Sequence, residues 1–391
     1  MTSSLMQTYA RLPIGFTHGE GPWLWGNDGK RYLDAVSGIA VCGLGHAHPR
    51  ITQAICEQSS KLLHVSNLYQ INEQEKLGHR LCKLSGMDKV FLCNSGAEAN
   101  EASIKLARMA GHKKQLASPK IIVMETSFHG RTLATLSATG NAKVHAGFEP
   151  LVEGFIRVPF NDLAAIEAAA MAHDDIVAIL VEPVQGEGGV HIPDDDYLPG
   201  IRQLCDQHDW LMMLDEVQSG TGRCGYWFAF QQYELTPDVM NLAKGLGNGI
   251  PVGACLAHGK AAELFGPGNH GSTFGGNPFA STVASTVLDI IETDQLLENC
   301  NKMGQYLVDQ FTEAFAGLSG VTEVRGKGLL IGIELNQPCT ELVSQALNEQ
   351  LLINVTANNV IRLLPPLILT TTEADQMVNT VVKLVRQFLS T

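Results

Sequence analysis

Three short runs of apolar residues stand out in the middle of the chain, at positions 176–181, 210–214 and 239–242. None of them alternates with polar residues, and uninterrupted runs of this length are typical of strands buried on both faces of a parallel sheet. Each run is closely followed by polar groups, in turn Glu182, Asp215 with Glu216, and Lys244. Because ligands bind beyond the carboxyl ends of the strands in open α/β sheets, we expect these groups to meet in one crevice.

The two ends of the chain show other patterns. Near the start, aromatic and β-branched runs flank Asn27-Asp28-Gly29, a turn sequence that predicts a β-hairpin. Toward the other end, a long helix-like segment covers 293–316, and strand-like segments follow near 328–334 and 361–364. These segments predict an α/β lobe that is separate from the central strands.

Between these ends, helical and strand-like patterns alternate from about residue 50 to about residue 290, without a repeat or a low-complexity linker. The alternation predicts an α/β fold with a large, mostly parallel central sheet. We assign residues 60–285 to this large domain. Residues 1–59 and 286–391 are predicted to join in a smaller α/β domain built from both chain ends.

The pair Asp215 and Lys244 gives the first chemical indication. Taken singly, the aspartate is explained as a helix N-cap and the lysine as a solvated loop residue. Their spacing, however, matches a βαβ unit of about 30 residues, which would bring them to neighbouring strand ends. Pyridoxal phosphate chemistry needs such a pair, because a lysine amine forms a Schiff base with the aldehyde and a carboxylate keeps the pyridine nitrogen protonated.

Two further motifs follow strand-like runs. Residues Asn94 to Asn100 read NSGAEAN and precede good helix formers that close at Gly111, an arrangement that aims free N–H groups at an anion. The alternative is an ordinary capped helix. In SFHGRT, Phe128 suits stacking on a flat ring and Arg131 suits a carboxylate, although a core phenylalanine and a surface arginine explain the same residues.

Two glycine-rich stretches each have two interpretations. Residues 271–278, GSTFGGNP, offer hydroxyl groups for a phosphate or merely turn the chain. Gly220, Gly222 and Gly225 match the spacing GxGxxG, but they lie well past the preceding strand and lead into YWFAFQQY, which lacks a helix opening. We interpret these three glycines as a flexible loop and not as a dinucleotide site.

Composition narrows the classes of function. The 391 residues carry a formal net charge of −13 without a basic cluster, which argues against a nucleic-acid partner. No window approaches the roughly 18 consecutive apolar residues of a membrane span, and the start lacks a signal-peptide pattern. We therefore expect a cytoplasmic protein without membrane association.

Cysteine and histidine usage gives no metal site. The nine cysteines are scattered and odd in number and form no CxxC pair, which predicts reduced thiols. His46 and His48 in GHAHP have no second ligand cluster, and a turn before Pro49 explains them. We therefore predict no bound metal.

Five motifs now stand in order along the chain, namely NSGAEAN, SFHGRT, LDEVQSGTGR, AKGLGNGIPVGA and STFGGNP. Together they resemble the class III pyridoxal phosphate aminotransferases, and among these most closely the acetylornithine aminotransferases. The resemblance covers nearly the whole chain, including the early YLDAVSGIAVCGLGHAHP and the late RGKG. It implies the fold-type I architecture of pyridoxal-phosphate-dependent transferases.

The resemblance also implies roles around the cofactor. Lys244 would be the Schiff-base lysine and Asp215 the partner of the pyridine nitrogen. The other cofactor contacts would come from Ser95, Gly96 and Ala97 at the phosphate and from Phe128, Val217 and Gln218 at the ring. Thr273 would reach the phosphate of the neighbouring subunit, which implies an obligate homodimer with shared sites.

Substrate contacts follow in the same way. Arg131 and Ser272 would contact the acylated amino acid. Glu187 and Arg362 would form a gate that lets two unlike substrates share one pocket, because an arginine paired with Glu187 is unavailable until that carboxylate moves away. A structural salt bridge is the alternative for this pair.

The activity implied by the resemblance is transfer of the terminal amine of N2-acetyl-L-ornithine to 2-oxoglutarate, giving N-acetyl-L-glutamate 5-semialdehyde and L-glutamate, in arginine biosynthesis. Some relatives also process N-succinyl-diaminopimelate.

Succinylornithine, ornithine and 4-aminobutyrate aminotransferases share the same motifs, so their activities remain open as alternatives. The apolar stretch of residues 38–41 favours an acylated donor. From other classes, a pyridoxal phosphate racemase or mutase and a non-catalytic binding protein remain as alternatives.

Overall fold

The computed structural model describes residues 4–390 of the chain. Its strands are β1 Phe16–Glu20, β2 Trp23–Gly26, β3 Arg31–Asp34, β4 Lys89–Cys93, β5 Lys120–Met124, β6 Phe155–Val158, β7 Ile176–Val181, β8 Leu211–Asp215, β9 Val239–Leu242, β10 Gly253–Ala257, β11 Val321–Lys327, β12 Leu330–Leu335, β13 Leu351–Leu352, β14 Asn354–Thr356 and β15 Val360–Leu363. Its longer helices are Pro49–Ser59, Asn72–Ser85, Gly96–Lys113, Leu163–Ala172, Tyr197–His208, Pro278–Thr293, Leu296–Phe315 and Thr371–Leu389, and shorter ones are Leu133–Ala138 and Leu342–Asn348.

A seven-stranded sheet in the order β4-β10-β9-β8-β7-β5-β6 forms the centre of the molecule. Strands β9, β8, β7, β5 and β6 run parallel, and β10 is antiparallel to both of its neighbours. The predicted α/β fold with a large, mostly parallel sheet is therefore confirmed.

The three apolar runs form the middle strands β7, β8 and β9, and every residue in them is buried. Successive side chains of a strand point to opposite faces, so one continuous apolar run supplies two cores. On β7, Ala178 and Leu180 pack with Ala99 and Ala102 of the helix Gly96–Lys113. Their neighbours Ile179 and Val181 pack on the other side, in the core that contains the helix Tyr197–His208.

The register of these strands brings their carboxyl ends to one level. Val181 pairs with Leu214, and Asp215 pairs with Asn241. Glu182 and Asp215 therefore follow neighbouring strands at the same edge of the sheet, and Lys244 comes two residues after β9. This edge is the crevice that the sequence predicted.

Two smaller four-stranded sheets use both ends of the chain. The first sheet has the order β1-β2-β3-β13. It contains the predicted hairpin β2–β3, whose turn lies at residues 27–29 and includes Gly29 with φ +78°. The late strand β13 pairs parallel to β3. The second sheet has the order β11-β12-β15-β14. One apolar core joins them, since Leu33 and Ile51 pack in the same cluster as Phe311 and Leu384.

Two helix boundaries differ from the prediction. The predicted helical segment 293–316 is one helix, Leu296–Phe315, which begins three residues later than predicted because the preceding helix ends at Thr293 and Gln295 has a left-handed φ of +54°. The helix Gly96–Lys113 runs past Gly111, whose missing side chain makes room for Pro119; a Cβ there would lie 2.3 Å from the proline Cβ. Among residues 4–390, no helix has the length and apolar character needed to cross a membrane.

Candidate active site

A cavity of about 460 Å³ lies at the carboxyl ends of the central strands. It is lined by most of the residues that the sequence singled out for a cofactor, namely Ser95, Gly96, Ala97, Phe128, Asp215, Val217, Gln218 and Lys244, and also by Arg131. These residues come from four separate segments of the chain, and the sheet brings them together.

Asp215 ends β8 and is 4% exposed. Its Oδ2 accepts hydrogen bonds from Asn100 Nδ2 at 2.7 Å and from His129 Nδ1 at 2.8 Å, and its Oδ1 accepts one from the backbone N–H of Val217 at 3.0 Å. Hydrogen bonds to a carboxylate favour its charged form. The site thus holds a negative charge that is fixed in position and nearly shielded from water.

Lys244 follows β9 with a φ of +45°, in the left-handed region that costs a non-glycine residue about 1 kcal/mol or more. Burial lowers the pKa of its amine, and the charge of Arg362 adds to this, while Glu187 and Asp215 act in the opposite direction. Its Nζ forms no hydrogen bond or ion pair with residues 4–390. A free amine with a lowered pKa is suited to bond formation and proton transfer.

The segment before the helix Gly96–Lys113 forms an anion cradle. Ser95 caps this helix by accepting a hydrogen bond from the backbone N–H of Glu98 at 3.2 Å. The N–H groups of Gly96 and Ala97 have no partner inside the helix, because the first turn of a helix lacks them. Gly96 sits so close to Val217 that a Cβ would lie 2.7 Å from a valine methyl carbon, so the cradle touches the strand end that carries Asp215.

The segment after β5 places Phe128 and Arg131. The Phe128 N–H donates to Glu182 Oε1 at 2.9 Å, and the Arg131 Cζ lies 5.7 Å from the centre of the Phe128 ring. Gly130, with φ +137°, packs against Ala97, and a Cβ there would lie 2.9 Å from the alanine Cβ. The ring and the guanidinium are therefore held against the anion cradle.

Glu187 and Arg362 form an ion pair with 2.8 Å between Oε1 and Nη1. Arg362, on β15, is 1% exposed and also donates to Gln218 Oε1 at 3.1 Å and to Asn354 Oδ1 at 2.7 Å. Burial alone would raise the pKa of the Glu187 carboxyl, but the charge and hydrogen bond of Arg362, together with Lys244 and Gln218, outweigh it and lower this pKa. The arginine thus reaches the main cavity through Gln218 while its charge is paired.

A second cavity of about 420 Å³ adjoins the first. It shares Phe128 and Arg131 with the main cavity, and Glu187 and Lys143 also line it. Arg131 therefore lies on the boundary that the two cavities share, and Glu187 lies on the side of the second cavity.

Ser272 and Thr273 line neither of these two cavities. The Ser272 hydroxyl accepts hydrogen bonds from Asn94 Nδ2 at 3.1 Å and from the Gly275 N–H at 3.0 Å. Thr273 lies on the surface of this exposed loop. Within one chain, the loop therefore lies beside the site and contributes no side chain to the two cavities.

Asn100 and His129 surround Asp215, but the sequence did not single them out. Both belong to motifs that were recognised, NSGAEAN and SFHGRT, so a signal was present. Nothing in the sequence shows that these motifs converge on one carboxylate, because the contacts join segments 115 and 86 residues apart.

The cavity fits pyridoxal phosphate on three observations. Two unpaired N–H groups at a helix start, those of Gly96 and Ala97, suit the phosphate. Asp215, which accepts three hydrogen bonds, suits the protonated pyridine nitrogen, and the unpaired amine of Lys244 suits the aldehyde.

Comparison with known proteins gives consistent matches along the whole chain. The model of the class III aminotransferase family matches residues 5–385. An acetylornithine aminotransferase of Nitrosomonas europaea is 57% identical over 387 residues, which are 99% of this chain and 98% of that protein. The crystal structure of an acetylornithine aminotransferase from Elizabethkingia anophelis has a TM-score of 0.87 at 36% identity, covering 98% of this chain and 96% of its own. An ornithine aminotransferase of Toxoplasma gondii with pyridoxal phosphate at partial occupancy in its active site has a TM-score of 0.94 at 30% identity, covering 99% and 94%.

Proposed function

The chain belongs to the class III aminotransferases, which depend on pyridoxal phosphate, and we propose that it transfers the terminal amine of N2-acetyl-L-ornithine to 2-oxoglutarate. The products are N-acetyl-L-glutamate 5-semialdehyde and L-glutamate, as in arginine biosynthesis. The observation that carries this proposal is Arg362, a buried arginine beside the cofactor cavity whose charge is paired with the partly exposed carboxylate of Glu187. The identity of 57% with a relative named for this reaction supports it.

The two half-reactions place opposite demands on Arg362. The donor reacts at a terminal amine far from its carboxylate, so a free arginine beside the reacting carbon would have no partner. Glutamate and 2-oxoglutarate carry a carboxylate next to the reacting carbon, which a free guanidinium binds in two-pronged fashion. In this proposal Glu187 covers Arg362 in the first half-reaction and withdraws in the second, while Arg131 holds the outer carboxylate of either substrate.

The bound cofactor supplies an aldehyde that exchanges amines and a ring that stabilises negative charge on the substrate carbon. Lys244 Nζ would carry the proton that leaves that carbon. Asp215 would keep the pyridine nitrogen protonated, and the N–H groups of Gly96 and Ala97, with Ser95 beside them, would bind the phosphate. Phe128 and Val217 would hold the ring, and Gln218 would contact its hydroxyl.

The donor is tested with the purified enzyme carrying its cofactor and without 2-oxoglutarate. The cofactor absorbance is followed while acetylornithine, succinylornithine, ornithine, N-succinyl-diaminopimelate or 4-aminobutyrate is added. We expect conversion to the amine form at the lowest concentration with acetylornithine and poor conversion with ornithine. A better response to ornithine or 4-aminobutyrate would overturn the proposed donor, and turnover that needs no 2-oxoglutarate would favour a racemase or mutase.

We also propose a homodimer in which Ser272 and Thr273 serve the partner's site. An exposed apolar surface supports it, formed by Leu62, Leu63, Leu68, Tyr69 and Phe274. Leu68 is 85% exposed and Phe274 60%. Asn67 joins the two segments, since its Nδ2 donates to the carbonyl oxygens of Ser272 and Gly275 at 3.0 and 3.1 Å. The surface thus includes the loop whose hydroxyls line no cavity of their own chain.

Two coarser features complete the proposal. We assign 60–285 to the cofactor domain and 1–59 with 286–391 to the small domain, which fits the sheets that combine both chain ends. We assign the enzyme to the cytoplasm, which fits nine free cysteines in a reducing compartment.

A further inference from the structure

Arg325, in the late motif RGKG, has no role in the mechanism above. It lies on β11, is 8% exposed and lines neither of the two cavities. Its Nη1 pairs with Glu323 at 2.6 Å and with Glu334 at 2.7 Å, so its charge stays paired even if one of them is lost. Its other nitrogens bind backbone, because Nε donates to the carbonyl oxygen of Val190 at 2.7 Å and Nη2 to that of Gly189 at 2.5 Å.

Both carbonyl groups belong to the segment that carries the carboxylate of the proposed gate. Residues 186–190 form this segment, the Glu187 loop, which follows β7. Gln185 and His191 pair at its base, where the N–H of each donates to the carbonyl oxygen of the other at 3.0 Å. Arg325 therefore holds the backbone of the loop whose side chain forms the gate.

The backbone of the Glu187 loop is paired along its length. The Gly186 N–H donates to Glu182 Oε2 at 3.3 Å, and the Glu187 carbonyl accepts a hydrogen bond from Thr356 Oγ1. The Gly188 carbonyl oxygen lies 3.0 Å from Nε2 of the histidine at the base of the loop. Together with the two carbonyls on Arg325, every carbonyl from residue 187 to residue 190 has a partner. The side chain of Glu187, in contrast, is partly exposed.

The Glu187 loop packs on the small sheet β11-β12-β15-β14. In this sheet Gly332 of β12 pairs with Arg325 on one side and with Arg362 on the other. Residues paired directly across antiparallel strands lie on the same face, so the two arginines project from one face with a glycine between them. A Cβ on Gly332 would lie 2.9 Å from the Cβ of Val190, so the missing side chain makes room for the loop.

The two arginines hold the loop in different ways. Arg362 binds it through the Glu187 carboxylate, which can leave by rotation about its own side-chain bonds. Arg325 binds it through two backbone carbonyls, which can leave only if the loop itself moves. One contact is therefore reversible within a fixed backbone, and the other fixes that backbone.

We propose that Arg325 is a positioning residue that fixes the Glu187 loop on the small sheet and thereby sets how firmly the Glu187 carboxylate covers Arg362. The role rests on the proposed function, since it acts through the gate. It needs an arginine, because only a planar fork of donors reaches two carboxylates and two carbonyls at once. A lysine has the same charge and should not replace it.

Arg325→Lys tests this, because it keeps the charge and removes the fork. A loosened loop brings its carboxylate less often to Arg362, so glutamate should gain relative to acetylornithine, in the same direction as in Glu187→Ala. We expect the ratio of the two kcat/KM values, from stopped-flow absorbance of each half-reaction, to shift about three- to tenfold, the value of one hydrogen bond. Gly332→Ala, whose new methyl group displaces the loop, should shift it in the same direction.

A double variant separates this role from general packing. Once the carboxylate is absent, the position of the loop no longer matters to Arg362. Arg325→Lys should therefore change the ratio no further when it is combined with Glu187→Ala. A merely structural defect would lower both half-reactions alike in either background and leave the ratio unchanged.

Arg202→Lys is the matched control. Arg202 is also largely buried, pairs with Asp206 and Asp238, both at 2.7 Å, and lines neither cavity. Its replacement should leave the ratio within about twofold, because distant sites act independently. The thermal stability of each variant shows whether it is folded.

Hydrogen exchange of the loop amides reports the backbone directly. It is measured by mass spectrometry on a peptide that spans residues 186–191, in the enzyme that carries its cofactor. We expect exchange there to be at least about tenfold faster in Arg325→Lys, because opening of the loop no longer breaks two hydrogen bonds to a guanidinium. Exchange in Arg202→Lys should match the parent.

Three results would each overturn the proposal: an unshifted ratio in Arg325→Lys, unchanged exchange in the loop, or an equal further shift of the ratio on top of Glu187→Ala. If Arg325→Lys does not fold, Gly332→Ala decides by the same ratio and the same exchange measurement.

These outcomes are distinct from those of the proposed function. If ornithine proves to be the best donor, the proposed donor is wrong, and the ratio measured with ornithine still decides the role of Arg325. If Glu187→Ala shifts the ratio and Arg325→Lys does not, the gate stands and the role of Arg325 is wrong. If neither variant shifts it, both the gate and the role of Arg325 are wrong.

Discussion

At the scale of single residues, Lys244 differs from a surface lysine in three respects. Its backbone is left-handed, its amine has a lowered pKa because of burial, and it lacks a partner among residues 4–390. Each of these three features lowers the stability of the fold, since a lysine is most stable with its amine in water and its backbone in an ordinary conformation. Strain of this kind at a cavity indicates a residue retained for chemistry.

Lys244→Ala should remove proton transfer and leave the rest of the cavity in place. General acid–base catalysis contributes about 10²- to 10⁴-fold, so we expect kcat to fall by at least that factor. Cofactor content after dialysis, measured by absorbance, should persist through the cradle and Asp215. Lys302→Ala, at an exposed helix position, is the control and should be unaffected. Normal turnover in Lys244→Ala would remove this lysine from the mechanism.

Glu187→Ala tests the gate. Without the carboxylate, Arg362 is permanently available, so glutamate should gain relative to acetylornithine. We expect the ratio of the two kcat/KM values to shift by about tenfold, the value of one charged contact. Stopped-flow absorbance of each half-reaction gives both constants.

The control for this gate is Glu323→Ala. Glu323 pairs with another buried arginine, Arg325, with 2.6 Å between Oε2 and Nη1, and neither residue lines the two cavities. Its loss should leave the preference unchanged. An unchanged preference in Glu187→Ala would mean that the Glu187–Arg362 pair is a structural salt bridge.

At the scale of elements, the middle strands could be predicted and the helix ends could not. Strands β7, β8 and β9 are buried on both faces, so their sequences are apolar throughout and visible without a structure. The end of the helix at Lys113 and the break at Gln295 depend on what packs against them, which sequence periodicity does not contain.

The site shows the same division. Residues that follow a strand directly, such as Asp215 and Phe128, could be predicted because the fold class places all strand ends at one edge. Partners such as Asn100 and His129 could not, since their contacts depend on how a helix and a loop pack against the end of β8. The turn at residues 37–40 is a further example, because Ser37, Ile39 and Ala40 adopt positive φ values that only Gly38 adopts without strain.

Glu216 joins two elements and predicts a pH dependence of stability. Placed just after β8, it accepts hydrogen bonds from Ser219 Oγ and from the N–H groups of Ala229 and Phe230, at 2.8 to 2.9 Å. Burial still raises the pKa of its carboxyl to about 7. The folded protein therefore holds this proton up to about pH 7, whereas the unfolded chain releases it near the ordinary glutamate pKa of 4.5. Stability must fall as the pH rises between these values, and Glu182, whose pKa burial also raises to about 7, acts in the same window.

The measurement is the free energy of unfolding of cofactor-free protein in urea at about pH 5.5 and about pH 7.5. At one pKa unit per about 1.4 kcal/mol, Glu216 should account for a loss of about 2 kcal/mol between them. Glu216→Gln cannot titrate, so it should lose correspondingly less with pH, although it is less stable at every pH because an amide faces three donors. An equal loss in both proteins would contradict the assignment.

At the scale of the whole molecule, Ser272 and Thr273 line neither cavity of their own chain, although the proposed function gives both a role in an active site. The loop at 271–277 carries Ser272 and Thr273 on a surface beside the exposed side chains of Leu68 and Phe274. A cluster of large exposed apolar side chains usually marks a surface that another protein chain covers. If this loop serves the partner's site, then Lys244 and Thr273 of one chain belong to different sites. This assignment of Lys244 and Thr273 to different sites distinguishes a dimer whose active sites are built from both chains from a dimer whose sites are each built from one chain.

Mixed dimers of Lys244→Ala and Thr273→Asp test the separation. Each variant alone should be poorly active. Lys244→Ala lacks the amine, and in Thr273→Asp the new carboxylate repels the cofactor phosphate. In a mixed dimer with shared sites, one site carries both changes and the other carries neither, so activity returns. Random pairing makes about half of the dimers mixed, each with one intact site, so refolding an equal mixture should restore about a quarter of the parent activity. If Thr273 serves its own chain, every site keeps one defect, and the mixture should be no more active than the average of the two variants.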